Sequence, residues 1–208
     1  MAYFPIFTQI EGKRCLIIGG GKVAARKVRT LLQYGANIVV VAEKVCEEIK
    51  KILPEENLLE SRKKAFFEKE IHKAFLVIAA TSNREENHYI AELCHDCNVL
   101  VNVADSEEES SFIFPSIVRK GDISIGINSG TGSPTVSKQI RKQIEKAVPD
   151  YYADIAVFMG ELREYVKMNF KEEPQRRYIL KTAAAQAFSE ERVLTEKEIE
   201  EIIRQGPK

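Results

Sequence analysis

The chain has 208 residues, and its 31 lysines and arginines balance 31 aspartates and glutamates to a formal net charge of zero. That balance argues against a general nucleic-acid binder, which normally carries a basic surplus. A hydrophobic share of 44% and a charged share of 30% mark a folding composition, and no apolar run approaches the roughly 20 residues that cross a bilayer.

The opening "MAYFPIFTQIEGKR" lacks the charged start and apolar core of a signal peptide. A cytoplasmic protein is therefore expected, with no membrane or nucleic-acid partner and with four reduced cysteines. "RCLIIG" reads as a buried strand. "KVAARKVRTLLQYG" sets Val23, Val28, Leu31 and Leu32 on one helical face and stops at Gly35. "NIVVVA" is a second strand, and "KVCEEIKKIL" a helix stopped by Pro54. "AFLVIAATS", "NREENHYIAELCHDC" and "NVLVNVAD" continue as strand, helix and strand. Such alternation implies right-handed crossovers and a parallel sheet.

After Asp105 the texture changes. "SFIFPSIV" and "DISIGIN" read as paired strands joined at "RKGD", with Ile123, Ile125 and Ile127 on one side. Ser133 is expected to cap a helix that begins at Pro134. The tail from Pro149 is almost wholly helical, and Thr195 with Glu198 forms a capping box.

Gly19, Gly21 and Ala24 fit G-x-G-x-x-A, after a strand and at the start of a helix. The first glycine allows the turn and the second lets a pyrophosphate approach the backbone. The small third residue lets helix and strand pack closely, and the helix N-terminus offers free N–H groups to phosphate. Lys22 and Val23 belong to the same turn. An acidic residue is expected about 20 positions on, to hold the ribose hydroxyls, and Glu43 stands there. Lys44 beside it would suit a 2′-phosphate, and NAD is favoured over NADP. Ala80 and Thr81 end a later strand and are expected to line the crevice, although Thr81 or Ser82 also suits a helix cap.

Asp105 ends the last parallel strand on the same rim. Two readings stand: a partly buried carboxylate that exchanges protons with a substrate, or a turn aspartate bonded to its own backbone. "SGTGSP", with Ser129, Gly130 and Ser133, opens a helix carrying Lys138 and Arg141. It reads as an anion site or as a solvated amphipathic face. Cys94 and Cys97 form a single C-x-x-C without the second pair that zinc wants, so structural thiols are expected and no metal ligands are assigned.

Together, "PIF", "CLIIGGGKVAARKV", "NVAD" and "SFIFPSIVRKGDISIGINSGTGSP" resemble the siroheme synthase family, and within it the precorrin-2 dehydrogenases, some of which are also sirohydrochlorin ferrochelatases. The resemblance is strong over residues 1–150 and loose beyond. It implies an α/β Rossmann-like NAD-binding domain (1–112), a small α+β dimerisation domain (113–149) and a C-terminal helical domain (150–208), in an intertwined homodimer. It implies NAD-dependent oxidation of the tetrapyrrole precorrin-2 to sirohydrochlorin, in siroheme or cobalamin synthesis, with Fe2+ or Co2+ insertion by some members. It makes Asp105 the catalytic residue and gives Ser129, Gly130, Ser133, Lys138 and Arg141 a substrate carboxylate to hold. One departure is Asn128, where many relatives carry serine. A chain ending at Lys208 has no room for a methyltransferase domain, so a separate methyltransferase is expected to supply precorrin-2. A dinucleotide-binding regulator and a tetrapyrrole carrier remain as the alternatives.

Overall fold

A computed structural model describes residues 3–59, 64–130 and 134–207. The chain divides into two compact units, one spanning Pro5–Phe114 and the other made of the residues before Pro5 together with those from Pro115 onward.

In the first unit, strands β1 (Arg14–Ile18), β2 (Asn37–Val41), β3 (Leu58–Leu59), β4 (Leu76–Ala79) and β5 (Leu100–Val103) form one sheet in the order β3-β2-β1-β4-β5. Every pair is parallel. Parallel sheets are buried on both faces, which is why these strands are nearly continuous Val, Ile and Leu. Alternation along each strand then sorts residues to two cores. Cys15, Ile17, Ile38, Val40, Leu76 and Ile78 face one core, completed by Ala24, Ala25, Val28 and Leu31 of helix α1 (Lys22–Leu32). Leu16, Ile18, Val39, Val41, Val77 and Ala79 face the other, completed by Ile90, Ala91 and Cys94 of helix α4 (Arg84–Asp96). Each fully buried Ile or Val stabilises by roughly 1.5–3 kcal/mol, and β1, β2 and β4 contribute such residues as Ile17 and Ile18, Ile38, Val40 and Val41, and Val77 and Ile78.

The expected α1 face needs correction. Val23 and Leu32 lie at its exposed margin, and the alanines carry the contact instead. The helix expected over "KVCEEIKKIL" shrinks to the single turn α2 (Glu47–Lys50), because the Cys46 N–H is drawn to the Gly20 carbonyl at 2.8 Å. Strand β3 and helix α3 (Lys64–Ile71) were not expected at all. Two residues paired only with Val40 and Val41 are too short to carry a period.

Cys94 belongs to the core, and burial pushes its thiol up to about 12. It behaves as a small apolar side chain. The segment after β5 is not a strand: Phe112 and Phe114 pack against the α1-side core, with Lys27 Nζ 3.7 Å from the Phe114 ring centroid.

In the second unit, β6 (Ser116–Lys120) and β7 (Ile123–Ile127) form an antiparallel hairpin. It turns through Gly121 at φ +54°, a left-handed conformation that favours glycine. Ile127 is buried, whereas Ile123 and Ile125 are half-buried. Helices α5 (Pro134–Ala147), α6 (Tyr151–Asn169), α7 (Glu173–Ser189) and α8 (Glu196–Gln205) follow. Ile155, Leu162 and Val166 of α6 pack with Ile179, Ala183 and Ala187 of α7, and Ile202 of α8 closes the cluster. The expected capping box forms, with the Thr195 N–H donating to Glu198 Oε2 at 2.7 Å. No helix among the described residues is long and apolar enough to cross a membrane.

Candidate functional site

The sheet register defines the rim. Val41, Ile18, Ala79 and Val103 stand side by side as the last paired row of β2, β1, β4 and β5. One to three residues beyond that row come Gly19–Gly21, Glu43 and Lys44, Ala80 and Thr81, and Asp105. The carboxyl ends of parallel strands are where such sheets hold ligands, above all where strand order reverses, here between β1 and β4.

The three glycines of the β1–α1 turn differ in their reasons. Gly19 has φ +124°, and a Cβ there would lie 2.2 Å from the Ala80 carbonyl oxygen. It lets the turn lie against the end of β4. Gly20 would place a Cβ 2.1 Å from the Lys44 carbonyl oxygen and 2.9 Å from the Ala42 Cβ. Gly20 is only an x of the G-x-G-x-x-A pattern, and the run of three consecutive glycines is the signal in the sequence that marks it. A Cβ on Gly21 meets nothing within 4 Å. Gly21 is the N-cap of α1, without a side-chain cap, and the first turn holds no acidic residue. Ala25 makes the first helical bond, to the Gly21 carbonyl at 3.0 Å. The N–H groups of Lys22, Val23 and Ala24 have no intrahelical acceptor, and the positive end of the helix dipole lies there. Open space before free donors fits a pyrophosphate. Ala24 is fully buried, as close packing of helix on sheet requires.

Glu43 and Lys44 are both exposed beyond β2. Ala80 and Thr81 are half-buried, and the Ala80 N–H donates to the Ile18 carbonyl at 2.8 Å. The helix cap is Asn83 rather than Thr81 or Ser82, its Oδ1 accepting from the N–H groups of Glu85 and Glu86 at 2.9 and 3.2 Å.

Thr81 is tied instead to Asn87 of α4, which is 1% exposed. Asn87 Oδ1 accepts from the Thr81 N–H at 3.1 Å and the Thr81 hydroxyl at 2.8 Å. Its Nδ2 donates to the Thr81 carbonyl at 3.3 Å and to Asp105 Oδ1 at 3.0 Å. Arg84 Nε stands 4.0 Å from Asp105 Oδ2. The Asp105 carboxylate is thus held by side chains of α4. Its side chain is 43% exposed.

The Asp105 loop has a second anchor. Glu109 accepts from Arg84 Nη1 and Nη2 at 2.5 and 2.6 Å, and its Oε1 lies 2.8 Å from His88 Nδ1. Hydrogen bonds from Arg84, joined by His88, hold the Glu109 carboxyl down at about 2. Ser110 closes the loop base by accepting from the Val103 N–H at 2.9 Å. Asn87, Arg84 and Glu109 were not singled out from the sequence. In a polar helix and an acidic loop, nothing in their residue types marks them.

The anticipated substrate residues belong to the other unit. Ser129 Oγ lies 2.5 Å from Ser137 Oγ. Gly130, at φ +70°, donates to Asn128 Oδ1 at 3.1 Å. Lys138 is exposed, and Arg141 is paired with Glu145 at 2.9 Å. Ser133 lies outside the described residues. Among the described residues, no group of three or more His, Cys, Asp or Glu side chains forms a metal cluster.

A family model described as "Putative NAD(P)-binding" matches residues 6–116, just over half of the chain, and the chain belongs to that family. It is 37% identical over 193 residues to a siroheme synthase of Nitrosospira multiformis, covering 91% of this chain and 41% of that protein. It is 37% identical over 177 residues to a siroheme synthase of Pseudoalteromonas translucida, covering 85% and 37%. The chain therefore spans about two fifths of the length of these curated relatives. Among solved structures it is similar to SirC, a precorrin-2 dehydrogenase, with a TM-score of 0.73, 24% identity and 98% of both chains covered. That likeness establishes the three-part fold: a Rossmann-like sheet, a small antiparallel pair and C-terminal helices.

Proposed function

We propose that this protein oxidises precorrin-2 to sirohydrochlorin with NAD, as a step of siroheme synthesis. The observation that carries the reading is the shared rim. The open face of Gly21 stands at the end of β1, Ala80 and Thr81 at the end of β4, and Asp105 beyond the end of β5. A cofactor site and a carboxylate at neighbouring strand ends suit a reaction that removes a hydride and a proton from one substrate.

The backbone N–H groups of Lys22, Val23 and Ala24 would hold the pyrophosphate, and Glu43 the adenosine ribose. Glu43 directly beyond β2 favours NAD, with Lys44 as the competing feature. NAD supplies the hydride acceptor when bound. Asp105 acts as the base that takes the accompanying proton, so precorrin-2 loses one hydride and one proton and NADH is the reduced product. Ser129, Gly130, Ser133, Lys138 and Arg141 remain candidates for the substrate carboxylates. The names of the relatives support this substrate, and the homodimer that the family resemblance implies is proposed with it. Where Fe2+ or Co2+ is inserted afterwards, two pyrrole protons must leave, and we assign Asp105 to help remove them one at a time, each passing on to water before the next is taken.

The test is anaerobic absorbance of the protein with enzymatically made precorrin-2 and NAD, then with ferrous iron. NAD-dependent appearance of sirohydrochlorin is expected. Iron insertion faster than the spontaneous rate would add chelation to the activity. No NAD-dependent change with a competent substrate would leave the regulator or carrier readings.

A further inference from the structure

We infer that Asn87 is a positioning residue for Asp105, coupling the end of β4 to the carboxylate beyond β5. The inference rests on the role proposed for Asp105.

A buried primary amide must satisfy one carbonyl oxygen and two N–H donors. Asn87, on the inner face of α4, does this entirely with the two strand ends. Thr81 takes its oxygen through backbone N–H and hydroxyl, and takes one donor bond through its carbonyl. The remaining bond goes to Asp105 Oδ1. An asparagine that served only to cap β4 would need no carboxylate. Here the amide is locked by three contacts with Thr81, and its last donor is therefore aimed at Asp105. The consequence is chemical. A neutral donor on Oδ1 orients the carboxylate without adding a charge beside it, and makes no bond to Oδ2. Among the described residues, the charged group paired with Asp105 is Arg84 on α4, on the Oδ2 side. Its Nε is at 4.0 Å, and both of its terminal nitrogens are committed to Glu109 of the Asp105 loop.

Asn87→Asp separates positioning from packing. It has nearly the same shape and keeps the oxygen that accepts from Thr81. It removes the donor and sets a second carboxylate against Asp105, and neighbouring like charges favour the protonated form. The expected result is a kcat at least tenfold lower, with the KM for NAD within threefold of wild type. The acidic limb of the kcat–pH profile moves to higher pH. Asn87→Ala brings no charge into the buried site and carries the same test if Asn87→Asp does not fold, with a smaller shift in the same direction. An acidic limb that stays in place in the folded variants, or a kcat within threefold of wild type, overturns the inference. Wild-type protein that does not turn over precorrin-2 sinks the functional reading instead. In that case 13C NMR of the Asp105 carboxyl, assigned with Asp105→Asn, decides the matter for Asn87. Titration at higher pH in the variant supports the coupling, and an unmoved midpoint refutes it.

Discussion

The Cα of Gly20 and the carbonyl of Lys44 are packed so closely that a methyl on the glycine would sit 2.1 Å from the carbonyl oxygen. The neighbouring Cys46 N–H donates to the Gly20 carbonyl at 2.8 Å. The glycine turn after β1 and the loop after β2 are thereby stitched together. The stitch fixes the distance between the α1 N-terminus, where phosphate would bind, and Glu43, where a ribose would.

Gly20→Ala forces that stitch apart. The obstructing atom is backbone, so it does not yield as a flexible side chain would. A loss of about 1–3 kcal/mol in unfolding free energy is expected, the usual cost of overpacking, together with weaker NADH binding. Urea denaturation and NADH fluorescence titration measure the two effects. A variant with wild-type midpoint and affinity would show that the loops move freely.

Gly21→Leu has the opposite signature. Nothing lies within 4 Å of a Cβ built there, so a side chain leaves the turn without a backbone clash. Because the same space is where we propose that a pyrophosphate approaches α1, NAD affinity is expected to fall at least tenfold while the melting temperature stays within a few degrees. Unchanged affinity would remove the turn as the cofactor site. The contrast with Gly20→Ala separates a glycine needed by the fold from one needed by the ligand.

That contrast also shows what the sequence made legible. The motif, its strand before and its helix after were readable, because hydrophobic period and glycine spacing are local signals. Which glycine serves which purpose was not. The reasons for Gly19 and Gly20 are the carbonyls of Ala80 and Lys44, which are distant in the chain. Asp105 was legible by its place after "NVA", but its holders Asn87 and Arg84 were not. They are polar residues in a helix whose outward face is also polar, and only the packing of α4 on the sheet turns Asn87 inward. Strand β3 escaped notice because two residues carry no period, and its identity as a strand comes from Val40 and Val41.

Asp105→Ala removes the proposed base without touching the cofactor turn. Turnover of precorrin-2 is expected to fall by roughly 10²–10⁴-fold, the span general base catalysis covers. NAD affinity should stay within twofold. Anaerobic absorbance and NADH titration on the same preparation report both. Near-full activity would remove Asp105 from the mechanism.

Glu109 makes the Asp105 loop sensitive to acid. Its carboxyl is held at about 2 in the folded chain against an ordinary value of 4.5, first by the Arg84 hydrogen bonds and then by His88. A carboxyl whose folded value is depressed contributes stability that is present above its unfolded value, and that stability is lost as pH falls toward the folded one. The window here runs from about 4.5 down to about 2. The contribution is small, because Glu109 lies near the surface and solvent screens its partners. It is nonetheless local, since the ion pair anchors residues 104–111 to α4. Glu109→Gln should therefore be less stable than wild type at pH 7 and show a shallower loss between pH 4.5 and 2. Amide hydrogen exchange in the loop should be faster than wild type at pH 7, and the two proteins should converge as pH approaches 2. Parallel stability curves across that window, or equal loop exchange at pH 7, would mean that Glu109 does not hold the Asp105 loop.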